Sequence, residues 1–207
     1  MKLVIIGAHL HREDVEPPAV AVAAGDLRLS GIEVADDQPL GDRDLLLRVA
    51  KTRAALLDRA TFIAIRYGFT VRDGDTSKVA PFIERWRQLL IEHRDDVEMT
   101  LKIAAPAPRP RPDRRDFTSG ADYLRALQAA NAEVPPAFRD AAEARIPCLA
   151  RRWTARDNAS VEMAALVRRA DVAAVFEAGA ALERDFPDVP FLLSGPWPLE
   201  VFADVDQ

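Results

Sequence analysis

The sequence has little of several features that identify common classes of protein. It has one cysteine, three histidines and nine glycines, and it contains no nucleophile elbow, phosphate-binding loop, dinucleotide-binding glycine motif or zinc-protease motif. One cysteine excludes a disulfide within the chain, and no apolar run approaches the roughly 18 residues that cross a bilayer. We therefore expect a cytoplasmic protein that is not an enzyme and binds no cofactor or metal.

Charge and aromatic content argue against a nucleic-acid partner. Acidic and basic residues number 33 and 28, which leaves a net charge of −5, and aromatic residues make up 7% of the chain. A nucleic-acid-binding surface needs a basic patch, commonly with aromatic side chains for stacking. RNA binding on a sheet face is thus a weak alternative.

Apolar residues follow a pattern that predicts a folded α+β protein. Hydrophobic residues are 49% of the chain and charged residues 29%, which is ordinary for a globular domain. In the first half, the pattern predicts a central buried strand over 2–8, a hairpin around Gly25-Asp26 and a helix over 43–58 that Asp42 or Asp44 caps. A strand over 62–65, a turn at 72–75 and a helix reaching about His93 follow, the last with Phe82 on its packing face.

The second half predicts the order strand, helix, strand, strand, helix, strand. Residues 97–103 alternate strictly, so Val97 and Met99 face a core while Glu98 faces water. A helical pattern begins at Tyr123, Leu124 and Leu127, is interrupted by Pro135 and Pro136, and reaches about Arg145. Strands over 146–154 and 159–168 flank a turn at 156–158, Asp171 caps a helix, and residues 189–193 form the last strand. This order is typical of a ferredoxin-like module.

These patterns predict two small modules. Residues 1–95 form a reduced α+β sheet-and-helix unit, and residues 96–207 form a ferredoxin-like domain with a proline-rich loop at 105–116 and a Gly-Pro-Trp-Pro tail. The prolines of the loop remove backbone donors and favour an extended, solvated connection.

Few side chains suggest chemistry. His9 and His11 lack a third ligand nearby, so we interpret them as surface histidines of a loop. Cys148 has no neighbouring Lys or His to lower its pKa and is read as an inert thiol. The acids in residues 72–76 do not have the spacing of a calcium loop and no glutamate closes a twelve-residue loop, so this stretch predicts a turn before a helix. Four arginines among the prolines, at positions 109, 111, 114 and 115, suggest a solvated linker.

Two stretches resemble the gas vesicle protein F/L family. Residues 60–68, Ala-Thr-Phe-Ile-Ala-Ile-Arg-Tyr-Gly, look like that family's apolar strand ending in Arg-Phe-Gly. Residues 191–202, with Gly-Pro-Trp-Pro at their centre, are similar to its closing Leu-Thr-Gly-Pro-Trp-Pro-Pro-Tyr-Ser-Phe. Tyr67, Leu199 and Glu200 depart from the family pattern, and the match spans about residues 43–203.

The resemblance implies an accessory or minor structural protein of gas vesicle assembly, located in gas vesicles or the cytoplasm. Its implied partners are the major gas vesicle shell protein and other gas vesicle proteins. The candidate contact or motif residues are Arg66, Tyr67, Gly68, Gly195, Pro196, Trp197, Pro198 and Phe202. The alternative is a regulatory module that senses a small molecule, because ferredoxin-like modules host many functions.

Overall fold

The chain forms two compact units of mixed α and β structure. The computed structural model describes residues 1–10, 20–103, 113–120, 122–123, 134–155 and 160–203. Unit 1 is Met1–Glu98 together with the chain from Trp197 onward, and unit 2 is Met99–Pro196. These units differ from the predicted domains in the tail, which belongs to unit 1 because its backbone and apolar side chains pack there.

The sheet of unit 1 surrounds one buried strand. Its strands are β1 (Lys2–Leu10), β2 (Val20–Ala24), β3 (Leu27–Val34), β4 (Ile63–Ala64) and β5 (Thr70–Arg72). The order is β2-β3-β1-β4, with β5 also paired to β1. All residues of β1 between its two ends are buried, as expected for an apolar strand with neighbours on both edges. The predicted central strand and the predicted hairpin of β2 and β3 are confirmed.

One glycine of β1 marks a close approach between chain segments. A Cβ atom on Gly7 would overlap the ring of Phe62 and crowd the carbonyl oxygen of Ile63 at 2.9 Å. The register between β1 and β3 also shifts between Ile5 and Gly7. Gly7 is therefore the position at which the segment containing β4 packs directly on the backbone of the central strand.

Helices α1 (Arg43–Leu57) and α2 (Ile83–Glu92) complete unit 1. The Leu45 amide donates to the Asp42 carboxylate at 2.9 Å, so Asp42, one of the two predicted caps, is the residue that caps α1. A 3₁₀ turn precedes α2, and its Phe82 stacks on Trp86 with ring centroids 5.5 Å apart. Phe82 was predicted on the packing face of the helix, and the stacked pair leaves it exposed.

Unit 2 has ferredoxin-like topology. Its strands are β6 (Asp96–Ile103), which begins in unit 1, β7 (Ala150–Ala155), β8 (Val161–Arg168) and β9 (Phe191–Trp197), and its helices in the described residues are α3 (Pro136–Arg145) and α4 (Val172–Asp185). The sheet order is β7-β8-β6-β9, so the first and third strands in sequence lie at the centre. This arrangement confirms the predicted β-α-β-β-α-β module.

The core of unit 2 lies between its sheet and its helices. Met99, Leu101 and Ile103 of β6 are buried together with Phe138 and Leu182. The predicted alternation of β6 is thus confirmed on its apolar side. Asp171 stands at the N-cap position of α4 as predicted, although its side chain makes no cap hydrogen bond.

Two polar side chains lie elsewhere than the sequence predicted. His9 is buried in β1, where its Nε2 lies 2.8 Å from the hydroxyl of Ser30, so the interpretation as a surface loop residue was wrong. Glu98 is buried rather than exposed, because the tail covers this side of β6. In both cases the burial comes from a segment distant in sequence.

Several predictions fall outside the described residues. They concern His11, the prolines and arginines of 104–112, the helical pattern from Leu124 to Leu127 and the turn at 156–158. Within the described ranges, no helix is both long enough and apolar enough to cross a membrane.

Candidate functional site

The tail segment, residues 198–203, extends the sheet of unit 1 at β4. The Leu199 amide donates to the carbonyl of Phe62, and the Leu199 carbonyl accepts from the amide of Ala64, each at 2.9 Å. These bonds form an isolated parallel bridge between Leu199 and Ile63. Leu199 is only 1% exposed, so its side chain is buried in the unit while its backbone pairs with the strand.

Glu98 binds the next three residues of the tail through their backbone amides. Its Oε1 accepts from the amides of Glu200 and Phe202, both at 2.8 Å, and its Oε2 accepts from the amide of Val201 at 3.1 Å. Successive amides in a turn point in nearly the same direction and bind an anion. The carboxylate of Glu98, which is 3% exposed, supplies that anion from inside the fold.

Burial governs the ionisation of Glu98. Removal of the carboxyl from water raises its pKa above the ordinary 4.5, and the three amide donors oppose that shift without cancelling it. The negative charge of Glu200 raises the pKa further. Nearby on α1, burial lowers the pKa of Arg53, whereas Glu200 raises it, and the guanidinium donates to the carbonyl of Ile65 at 2.5 Å.

A pH dependence of stability follows from the raised pKa of Glu98. Between the ordinary pKa of 4.5 and the higher folded value, the folded protein binds more protons than the unfolded chain, so stability is lost as the pH rises through this window. We expect the Glu98→Gln variant to lack this loss. Urea unfolding of both proteins from pH 4 to pH 8 measures the difference.

The matched control is Glu33→Gln, which changes an exposed glutamate on β3 of the same unit. It should keep the pH dependence of the wild-type protein. Parallel curves for wild type and Glu98→Gln across the whole range would contradict the assignment of the raised pKa to Glu98.

The Arg-Tyr-Gly motif lies on unit 1 directly after β4. Arg66 is exposed, whereas the half-buried Tyr67 donates its hydroxyl to the carbonyl of Leu40. Gly68 has a φ angle of +94°, which side chains with a Cβ rarely adopt. The tyrosine and glycine therefore have structural roles, and the arginine is the member whose charge faces water.

The Gly-Pro-Trp-Pro motif leads from β9 into the tail segment. Gly195 has a φ angle of +133°, and the Gly195–Pro196 peptide bond is cis. Trp197 is 47% exposed, and Pro198 is half-buried. Phe202, at the other end of the tail, is also half-buried and binds Glu98 through its amide.

The structure therefore brings together only part of the predicted set. Pro198 and Phe202 lie in the segment held by Glu98, while Arg66 and Trp197 expose side chains to solvent. Sequence reasoning missed Glu98, Arg53 and Leu199 as parts of one site. No local pattern reveals them, because they come from a strand, a helix and a tail that are distant in sequence.

Other polar clusters are explained by packing. His93, at the end of α2, lies 2.9 Å from Asp96 through Nδ1, and the Thr61 hydroxyl donates to the Asp96 carbonyl at 2.8 Å. These contacts join α2 to the start of β6. In the part of the chain that the structure describes, no group of three or more His, Cys, Asp or Glu side chains is arranged to hold a metal ion.

The fold and this site define a class of protein: two small α+β units, one ferredoxin-like, with a C-terminal segment that pairs with the first sheet. No protein-family model matches the chain, and no curated protein matches its sequence. The solved structures that match this chain include two that share the fold over almost the full length of both chains.

Both structures are gas vesicle proteins. The crystal structure of gas vesicle protein GvpF from Microcystis aeruginosa matches with a TM-score of 0.76 and 13% identity, over 99% of each chain. That of GvpF from Anabaena sp. PCC7120 matches with a TM-score of 0.73 and 10% identity, over 100% of this chain and 99% of the other. The chain has the GvpF fold, which confirms at the level of the fold the resemblance found in the sequence.

Proposed function

We propose that this protein is an accessory or minor structural protein of gas vesicle assembly. It binds the major shell protein and other gas vesicle proteins, in the cytoplasm or at the vesicle, and catalyses no reaction. The observation that carries the proposal is the likeness to two GvpF structures over 99% or more of this chain. The Gly-Pro-Trp-Pro sequence at 195–198 supports it independently.

Physical chemistry gives such a protein a task. A shell subunit needs an apolar face toward the gas, and before assembly that face promotes aggregation. A protein that covers the face must offer apolar side chains to water in its free state. On unit 1, the large apolar side chains that are exposed to water include those of Leu46 and Leu47 of α1 and of Trp197.

Trp197 is the contact residue that the proposal singles out. Tryptophan is enriched among residues that dominate binding energy at protein interfaces. Of the eight candidates, Arg66 and Trp197 are the exposed ones, and Trp197 has the larger apolar surface. Tyr67, Gly68 and Gly195 contribute by shaping the backbone that positions these side chains.

Deletion of the gene in its host tests the function. We expect no intact vesicles by flotation and electron microscopy, and restoration by the wild-type gene. The Trp197→Ala variant should bind shell protein in pull-downs at least about tenfold more weakly than the wild-type protein does. Loss of such a contact costs about 2 kcal/mol or more of binding free energy. Phe176→Ala is the control, because Phe176 is comparably exposed on α4.

Two results would count against the proposal. One is a deletion strain that forms normal vesicles, and the other is a wild-type protein that retains no gas vesicle protein in pull-downs. Equal losses of shell-protein binding for Trp197→Ala and Phe176→Ala would contradict the assignment of Trp197 as a contact residue, and the proposed function would stand.

A further inference from the structure

The tail segment is bound to unit 1 in the manner of a peptide ligand. Leu199 fills a buried position and exchanges two backbone hydrogen bonds with β4, which is how extended peptides add to the edge of a sheet. The bridge is isolated and β4 is only two residues long, so the tail is not part of a continuous ladder. Ala203 closes the segment as a second buried residue.

Glu98 provides the polar half of this binding site. Its carboxylate accepts from three successive backbone amides of the tail, those of residues 200–202. These amides are the hydrogen-bond partners that the structure describes for the Glu98 side chain. Because only main-chain groups of the ligand are used here, the carboxylate recognises a turn and not a particular side chain. The buried leucine supplies the side-chain selectivity.

The balance of these contacts indicates that the tail segment can detach from unit 1 while the rest of the unit stays folded. Backbone pairing through one residue and burial of two side chains hold a short segment less firmly than a strand inside a sheet. Burial of a carboxylate also offsets part of the gain from its hydrogen bonds. The core cluster that contains Leu3, Ile5 and Leu29 of β1 and β3 includes no residue of the tail, so we expect this cluster to survive detachment of residues 198–203.

We propose that unit 1 carries a peptide-binding site, formed by residues 62–64 and Glu98, that the chain's own tail segment fills as a separable ligand. The ligand class is an extended segment with one leucine-sized apolar residue followed by three consecutive amides in a turn. The occupant is residues 198–203 of the same chain. This inference does not depend on the proposed role in gas vesicles.

Competition between the tail and a free peptide tests the site in the full-length protein. The Leu199→Asp variant places a charge at the buried position and should detach the tail. A fluorescently labelled peptide of residues 198–203 should then bind this variant at least tenfold more tightly than it binds the wild-type protein, by fluorescence anisotropy. Adding Glu98→Gln to Leu199→Asp should weaken binding at least tenfold, and a peptide with Asp at the leucine position should not bind.

Amide hydrogen exchange of the wild-type protein gives a test that needs no variant. The amides of residues 199–202 should exchange at least a hundredfold faster than those of β1, since the tail opens without global unfolding. Equal protection of the two sets would overturn the proposal, as would absence of peptide binding to a folded Leu199→Asp variant. Concentration-dependent dimers of wild type that Leu199→Asp abolishes would support the site, with the tail of a second copy as its ligand.

Discussion

Replacement of Phe138 by alanine is expected to lower the free energy of unfolding of unit 2 by about 3–5 kcal/mol. The side chain is fully buried and packs edge-on against Phe186, with ring centroids 5.4 Å apart, and against Phe191 at 5.3 Å. Its removal takes apolar surface out of the core and leaves a cavity that neighbouring rings fill only partly. Urea unfolding followed by circular dichroism measures the loss.

Phe176→Ala is the matched control for this prediction. Phe176 lies on α4 of the same unit and is 42% exposed, so its truncation should change the free energy of unfolding by about 0.5 kcal/mol or less. A loss below about 1 kcal/mol for Phe138→Ala would contradict the position of that ring at the centre of the core.

Glu98→Ala is expected to destabilise unit 1 by about 2–4 kcal/mol. The variant removes the acceptor of three backbone amides, and a donor left without a partner costs about 1–3 kcal/mol when it is out of reach of water. The tail is partly exposed, so water replaces some of the lost bonds, and loss of the buried charge offsets a further part. The amides of residues 200–202 should also lose protection from hydrogen exchange.

The control for Glu98 is an exposed glutamate in the same sheet. Glu33→Ala on β3 should leave both the stability and the tail amides close to those of wild type. If Glu98→Ala were as stable as Glu33→Ala, or if its tail amides stayed protected, the carboxylate would not be what holds the tail segment.

Local patterns predicted most of unit 1 and unit 2 because the relevant signals are short in sequence. Asp42 and Asp44, the two candidate caps of a helical pattern, predicted the start of α1, and Gly25-Asp26 between apolar runs predicted the hairpin. The alternation of residues 97–103 predicted β6, and the order of elements around it predicted the ferredoxin-like sheet. In each case the residues that fix the element lie within a few positions of one another.

The missed features depend on partners that are distant in sequence. Strand β5 is three residues long, and its assignment comes from pairing with Lys2, Leu3 and Val4, which no pattern inside 70–72 reveals. His9 looked like a loop residue, but β1 continues past it because β3 pairs with it as far as Leu10. Period-two alternation predicted that Glu98 faces water, because a pattern of neighbouring residues carries no information about the distant tail that covers this side chain.

The sequence by itself determined the two-module α+β organisation, the central apolar strand, the ferredoxin-like order and the Gly-Pro-Trp-Pro resemblance. Only the tertiary structure decided that Leu199 pairs with β4 and that Glu98 binds the amides of residues 200–202. The physical reason is that periodicity and capping act between neighbours in the chain. Burial of a carboxylate against a distant turn depends on which segments the folded protein brings into contact.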